Sequence, residues 1–350
     1  MVVYCIGTLL SILFIEFASR VKHKSDDSRY WFFVSLFTAS PLIIIAAIRY
    51  DVGKDYLSYI RLFRQAAVGY RQDGLEIPFY WLNRIISFLG GDYIWIFIIS
   101  AVLFMVISYM HIFEESPYPK LSVFLLVTMG FYFSFLNTMR QFVGCAFLLY
   151  SIKFIKDRKL IPFLSFVLLA ACFHYTCIIF VIAYPLYGIR TKTRNLVISS
   201  IIVFLLASLL ARYINQIAML TYYGTAYIGS VFDRPEERGF ITLAINILLI
   251  VIGTIFKSDD DDYNFYYILS FISLWFLFFE GKVVLISRIR WMFALPSIIL
   301  LPKIINNVPN RRDRFIYISL IVGLYIAFFY YTIGINNSNS VLPYQTIFSR

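Results

Sequence analysis

The 350-residue chain is 60% hydrophobic and 19% aromatic, carries only 15% charged residues, and has a mean hydropathy of +0.76. A soluble domain has about 25% charged residues, so this chain has too few to cover a water-exposed surface and falls in the membrane class. The net charge of +11 would suggest nucleic acid in a soluble protein; here it raises the question of sidedness, and no nucleic-acid partner is expected.

Apolar stretches of membrane-crossing length run at about 2–18, 31–48, 93–110, 120–138, 140–155, 160–173, 175–189, 196–211, 240–256, 264–281, 284–304 and 315–333. They predict an all-α polytopic membrane protein with about 12 transmembrane segments, some short or re-entrant, forming one integral domain over 1–350. The first stretch lacks the basic flank and small-residue cleavage site of a secretory signal and reads as a retained span. Arg20, Lys22, Lys24 and Arg29 follow it, which puts that loop in the cytoplasm and the N-terminus outside.

A long outer loop then covers about 49–92, and a second outer loop about 212–239. The basic segments 153–159, 190–194 and 311–314 all count to the cytoplasm, provided residues 160–189 cross twice as a hairpin with its apex near His174. The run Asp259–Asp262 falls on the same side and reads as a solvated loop. Cys5, Cys145, Cys172 and Cys177 sit in apolar runs and read as buried thiols, with no disulfide framework.

This topology leaves cations on the wrong side. Arg49, Lys54, Arg61, Arg64, Arg71 and Arg84 fall in the first outer loop, and Arg140, His174, Arg212, Arg234, Arg238, Glu280, Arg288 and Arg290 lie near the outer face. An arginine within a span costs about 2.5–3.5 kcal/mol on insertion scales. Its retention points to an outward-facing anion site.

The first outer loop opens Arg49-Tyr-Asp51-Val-Gly-Lys-Asp55-Tyr56-Leu-Ser-Tyr59. From Asp55 onward Tyr56, Ile60, Phe63 and Ala67 recur at helical spacing, which predicts an amphipathic interfacial helix. A second is predicted from Glu76 to Leu89, with Phe79, Leu82, Ile86 and Leu89 opposite Tyr80, Asn83, Arg84 and Ser87. Asp51 and Asp55, four apart beside Arg49, have the chemistry to orient the arginine, hold a metal or bind sugar hydroxyls.

Arg140 lies where one apolar helix ends and another begins, so a helix N-terminus and a planar guanidinium both favour phosphate oxygens there. The plainer alternative is a helix-end arginine snorkelling to headgroups. His174, in Cys172-Phe-His-Tyr-Thr-Cys177, lacks the spacing and fourth ligand of a structural zinc site. It is either a buried neutral histidine satisfying a carbonyl or a group that binds anions and moves protons. Arg288 and Arg290 lie about 200° apart on a helix, so one is expected to face a cavity and the other a headgroup or Glu280.

The residues from Arg49 to Tyr59 resemble the R-x-x-V-G-x-D-Y-x-x-Y signature of the EpsG-type polysaccharide polymerases. Glu76 falls where that family carries a glutamate, Asn137-Thr-Met-Arg140-Gln141 resembles its N-x-x-R-Q motif, and Phe173-His174 its F-H pair. The likeness covers roughly residues 30–190 and continues weakly through Arg288 and Arg290. Lys54 stands where a common family variant has threonine.

The resemblance implies a Wzy-like O-antigen or exopolysaccharide polymerase of the bacterial inner membrane. Such an enzyme would join undecaprenyl-pyrophosphate-linked repeat units at the periplasmic face, with no nucleotide sugar, metal or other cofactor. Its partners would be those lipid-linked glycans, the bilayer, and a chain-length regulator and a flippase of the same pathway. The catalytic candidates are then His174, Glu76 and Asp55. Arg140, Arg288 and Arg290 are expected on pyrophosphate with Arg49 as a further contact, and Asp51, Gln141, Tyr56 and Tyr59 complete the set expected to bind pyrophosphate and glycan. Rival readings are a metal-dependent polyprenyl-phosphate-sugar glycosyltransferase using Asp51 and Asp55, a lipid-linked sugar flippase, and an acyltransferase using His174.

Overall fold

A computed structural model of the chain describes residues 1–20, 28–220 and 239–348. Lys22, Lys24, Arg234 and Arg238 lie outside the described residues, as does most of the second expected outer loop.

Helices account for the expected segments in order. α1 spans Val2–Arg20 and α2 Ser28–Ala47. The short helices α3 (Tyr56–Ala67) and α4 (Ile77–Phe88) follow, then the long α5 (Ile94–Glu115). α6 (Pro119–Thr128) and α7 (Phe131–Asn137) meet at a 50° bend around Gly130, whose φ of 89° a side chain would resist. α8 is Met139–Lys156 and α9 is Leu160–Phe173; a 3₁₀ helix, Tyr175–Leu186, comes next.

The remainder is α10 (Thr193–Ala218), α11 (Phe240–Ile255), α12 (Asp261–Leu277), α13 (Ile286–Ala294), α14 (Ser297–Asn306) and α15 (Arg311–Phe329), closed by one π turn, Tyr330–Ile335. Among the described residues the only β feature is an isolated bridge between Arg49 and Thr346.

Six helical stretches are long and apolar enough to cross a membrane, or seven if the bent α6–α7 pair is one span. The expectation of about twelve is larger for identifiable reasons. α9, the 3₁₀ helix and α11 are apolar but short, α8 carries Arg140, Lys153 and Lys156, and α12 opens on two aspartates. The hairpin around His174 is present, but its second arm is 3₁₀ rather than α. The second outer loop was drawn too early, since α10 continues to Ala218.

α5 packs between α2 and α8, and α8 in turn between α5 and α9, while α12 backs α13 and α10. Several polar side chains inside this bundle find partners within it, as a low-dielectric setting favours. Ser11 donates to the Thr38 carbonyl at 2.6 Å, the Tyr132 hydroxyl to the Leu42 carbonyl at 2.8 Å, and His111 Nε2 sits 2.9 Å from the Tyr266 hydroxyl. Gly144 lets α8 close on the hairpin, because a Cβ there would meet Cys177 Sγ at 2.6 Å and the Ala170 carbonyl at 3.1 Å.

The basic segments collect at one end. Lys156 bridges Glu115 (2.6 Å) and Asp262 (2.5 Å), the Tyr187 hydroxyl donates to Asp262 at 2.8 Å, and Arg190 reaches Asp261 at 3.1 Å. Asp260 caps α12 by accepting from the Tyr263 N–H at 3.1 Å. Asp261 and Asp262 therefore tie neighbouring segments together, while Asp259 and Asp260 are exposed as expected of a solvated loop. α8 runs about 27 Å from this end to the other, where Arg140 lies.

The amphipathic pair needs one revision. α4 turns Phe79, Asn83 and Ile86 inward, so Asn83 belongs to the buried face and donates to the Phe79 carbonyl at 2.7 Å. Arg84 donates to the Ala66 carbonyl at 3.2 Å and also to that of Ala67, closing the C-terminus of α3 where a cation is favoured. Ile77, Trp81, Ile85 and Phe88 form an exposed apolar stripe at helical spacing. An apolar stripe outside as well as inside fits a helix bedded in lipid.

Candidate active site

Four chain segments converge at the end opposite the basic loops. The first is the turn after α2. Asp51 adopts φ 50° and Gly53 φ 97°, and a Cβ on Gly53 would lie 2.9 Å from Asn137 Oδ1 and 3.1 Å from the Leu136 carbonyl. The turn thereby delivers the Lys54 N–H to Asn137 Oδ1 at 2.5 Å. The glycine of one motif and the asparagine of the other therefore interlock. Gly53→Ala adds about 1–2 kcal/mol of left-handed strain to that clash. Severalfold slower turnover is expected, with a reduced melting temperature by circular dichroism as the check.

Asp55 follows immediately, at the N-terminus of α3, and its side chain makes no capping bond. Burial pushes its carboxyl above the ordinary aspartate value, against the pull of Arg288, Arg140 and Lys54.

The second segment brings Glu76, which sits at the start of α4 and is fully buried. Its Oε1 lies 3.1 Å from His174 Nδ1, and its Oε2 accepts from Arg140 Nη1. Burial alone would raise the Glu76 carboxyl; the His174 hydrogen bond and the Arg140 charge outweigh it and hold the group below the usual glutamate value.

The third segment is the junction of α7 and α8, where Arg140 occupies the first turn of α8 as the sequence predicts. Its backbone N–H points to the Tyr59 hydroxyl at 3.4 Å, and its guanidinium lies over the Phe79 ring, 5.5 Å from the centroid. The fourth is the break between α9 and the 3₁₀ helix, where extended backbone at His174 (φ −155°, ψ 115°) aims a 2%-exposed imidazole at Glu76.

α13 closes the arrangement. Gln141 Nε2 donates to the Arg288 carbonyl, fastening α13 to α8, and the Arg288 charge acts on Asp55 and His174. Arg290 faces elsewhere and pairs with Glu280, one of the two orientations expected from the 200° offset, so the expectation that it joins Arg140 and Arg288 in one anion site is corrected. Asp55, Tyr59, Glu76, Arg140, His174 and Arg288 thus share one site.

Four expected contacts are corrected. Arg49 is only 1% exposed, donates to the Leu136 carbonyl at 3.0 Å and lies over Phe97 at 4.8 Å, so it braces the turn from within. Tyr56 is fully buried and stacked on Phe97 with 4.9 Å between centroids, leaving that face no room for a sugar. Gln141 holds α13 through its amide rather than facing outward. Asp51 is exposed in its left-handed turn, and no group of three metal-ligating side chains occurs among the described residues.

Sequence reasoning passed over the segment after the π turn. Ser340 accepts from the Gly53 N–H at 2.9 Å, Gln345 from the Tyr50 N–H at 2.9 Å, and Asn339 from Asn137 Nδ2 at 3.0 Å. The Tyr344 hydroxyl also donates to the Ile45 carbonyl at 2.8 Å. Its sequence signal was the polar run Asn336-Asn-Ser-Asn-Ser340, a turn-former after a long apolar helix.

No curated protein and no solved structure matches this chain. The EpsG family matches it from residue 29 to residue 346, which takes in the turn, the Glu76 helix, the α7–α8 junction, the His174 break, α13 and the closing segment. With so much of the sequence matched, the chain belongs to the EpsG family, and that membership supports a polysaccharide polymerase-like role.

Proposed function

We propose that the protein is a glycosyltransferase that polymerises undecaprenyl-pyrophosphate-linked oligosaccharide repeat units at the outer face of the bacterial cytoplasmic membrane. The observation that carries this reading is the buried Glu76–His174 pair set against Arg140, with Arg288 and Asp55 in the same electrostatic field. A lipid pyrophosphate brings an anion beside an apolar tail, and the site offers arginines at the end of an apolar bundle.

In the proposed step a hydroxyl of the acceptor's terminal sugar attacks the anomeric carbon of the donor glycan. The new carbon–oxygen bond forms as the bond to the pyrophosphate oxygen breaks, and undecaprenyl pyrophosphate departs with the bonding electrons. With Nδ1 donating to Glu76, a neutral His174 carries its lone pair on Nε2, the basic atom that takes the acceptor proton. Glu76 orients the ring and stabilises the imidazolium, as a carboxylate does behind a histidine base. Arg140 and Arg288 stabilise charge growing on the leaving pyrophosphate, an interaction stronger in the transition state than before it. A chain-length regulator and a flippase of the same pathway would be its working partners.

Purified protein in lipid, given its cognate lipid-linked repeat, should produce a ladder of lengthened glycans. Arg140→Ala should lose about 10²–10³-fold in rate, the size of effect seen when one oxyanion donor is removed. No ladder from the wild type would sink the polymerase reading, and an unchanged ladder from Arg140→Ala would sink the site assignment.

A further inference from the structure

Behind α13, on the side away from Arg288, lies a cavity of about 230 Å³. Its walls include Ser134 of α7, Asn246 of α11, Arg290 and Trp291 of α13, Thr332 of the π turn and Asn339 of the closing segment. We propose that this cavity is a saccharide subsite, holding one uncharged sugar residue of the glycan while the Arg140 cluster holds the pyrophosphate; the proposal rests on the polymerase reading above.

The lining decides the ligand class. Arg290 is the only charged side chain among the described wall residues, and its guanidinium is paired with Glu280, so the cavity offers no unbalanced charge to hold a phosphate. What it offers is amide and hydroxyl chemistry beside an aromatic ring, the combination that matches sugar hydroxyls and the apolar face of a pyranose. Asn246 donates to the Thr242 carbonyl at 2.8 Å through Nδ2, which turns its carbonyl oxygen to other donors. The volume suits a single ring and is too small for a polyprenyl chain.

The location ties the cavity to the reaction. Asn339, in its wall, accepts from Asn137 at 3.0 Å, and Asn137 in turn holds the Lys54 N–H beside Asp55. Arg288 and Arg290, two residues apart on α13, face the charged cluster and the cavity respectively. A glycan leaving the pyrophosphate site passes α13 to reach this cavity, so the subsite would grip the chain one or more sugars from the bond being made.

The test is ligand-observed saturation-transfer NMR on the full chain in nanodiscs, with methyl glycosides of glucose, galactose and N-acetylglucosamine as probes. At least one probe should bind at millimolar concentration, undisturbed by excess inorganic pyrophosphate and retained in Arg140→Ala. Asn246→Leu and Ser134→Leu fill the cavity from different helices, and each should weaken binding at least tenfold while gel filtration and melting stay near wild type. If one of the two misfolds, the other decides. The subsite is overturned if no probe binds, if pyrophosphate displaces the probe, or if both folded cavity variants bind like the wild type. A polymer ladder with silent cavity variants would discard the subsite and keep the polymerase reading. Glycoside binding lost only in the cavity variants, with no ladder from the wild type, would do the reverse.

Discussion

Glu76→Gln is expected to abolish glycan lengthening and to lower the melting temperature. Glu76 receives two donors, His174 on one oxygen and Arg140 on the other, in a fully buried position. Glutamine has one oxygen to accept with and would turn an N–H toward a donor, leaving either the imidazole or the guanidinium unmet. Breaking a buried ion pair by removing one partner costs about 3–5 kcal/mol; because Arg140 remains about one-fifth exposed, the lower part of that range applies. Loss of an oriented general base costs about 10²–10⁴-fold in rate.

The same pair sets a pH dependence. The Glu76 carboxyl is held below its usual value of 4.5, so its contribution to stability is complete above that value and is lost as pH falls through the depressed one. Melting curves in nanodiscs should therefore decline on the acid side for the wild type, and Glu76→Gln should lack that component. Equal melting temperatures and equal ladders for the two proteins would remove Glu76 from the site.

Ending the chain after Ile335 is expected to slow the reaction more than tenfold while the long spans still insert. The deleted segment accepts from the Gly53 and Tyr50 amides and from Asn137, and Ile347 donates to the Ile48 carbonyl at 2.9 Å. Val341 accepts from the Tyr4 hydroxyl at 3.0 Å, so α1 is tied in as well. Each bond is worth about 1 kcal/mol net, and together they define the turn that delivers Asp55. Limited proteolysis should then cut between Arg49 and Asp55 in the truncated protein and spare the full chain. Wild-type rates and an uncut turn after truncation would show the segment to be dispensable.

How much of this could be read in advance differs by element. Apolar length located most helices within a few residues, because hydrocarbon thickness constrains composition directly, although α10 extends to Ala218, well past its expected end. The expected twelve crossings exceed the six or seven stretches that qualify by length and composition alone, because α9, the 3₁₀ helix and α11 are short and α8 carries charges at both of its ends. The charge argument singled out Arg140, Arg288 and His174, the motif opening the first outer loop supplied Asp55, and Glu76 came only with the family resemblance; the structure brings these five together. Charge reasoning erred on Arg49, because a buried arginine bonded to carbonyls and an outward one bonded to phosphate look alike in a sequence. The closing segment was missed for a different reason. Its bonds to the turn join residues nearly 300 apart through backbone groups, and backbone groups have no sequence signature.

The His174 hairpin also bears on the lipid around it. Fourteen α-helical residues rise about 21 Å and twelve 3₁₀ residues about 24 Å, against a hydrocarbon core of about 30 Å. Its outer flank carries Ile161, Leu168, Tyr175, Ile178 and Ile182, all exposed and suited to acyl chains. A bilayer bordering so short a wall relieves the mismatch by thinning beside it. The headgroup plane would then dip toward His174, and under the proposed function a lipid-linked substrate in that leaflet would be carried down to the imidazole by the shape of the membrane itself.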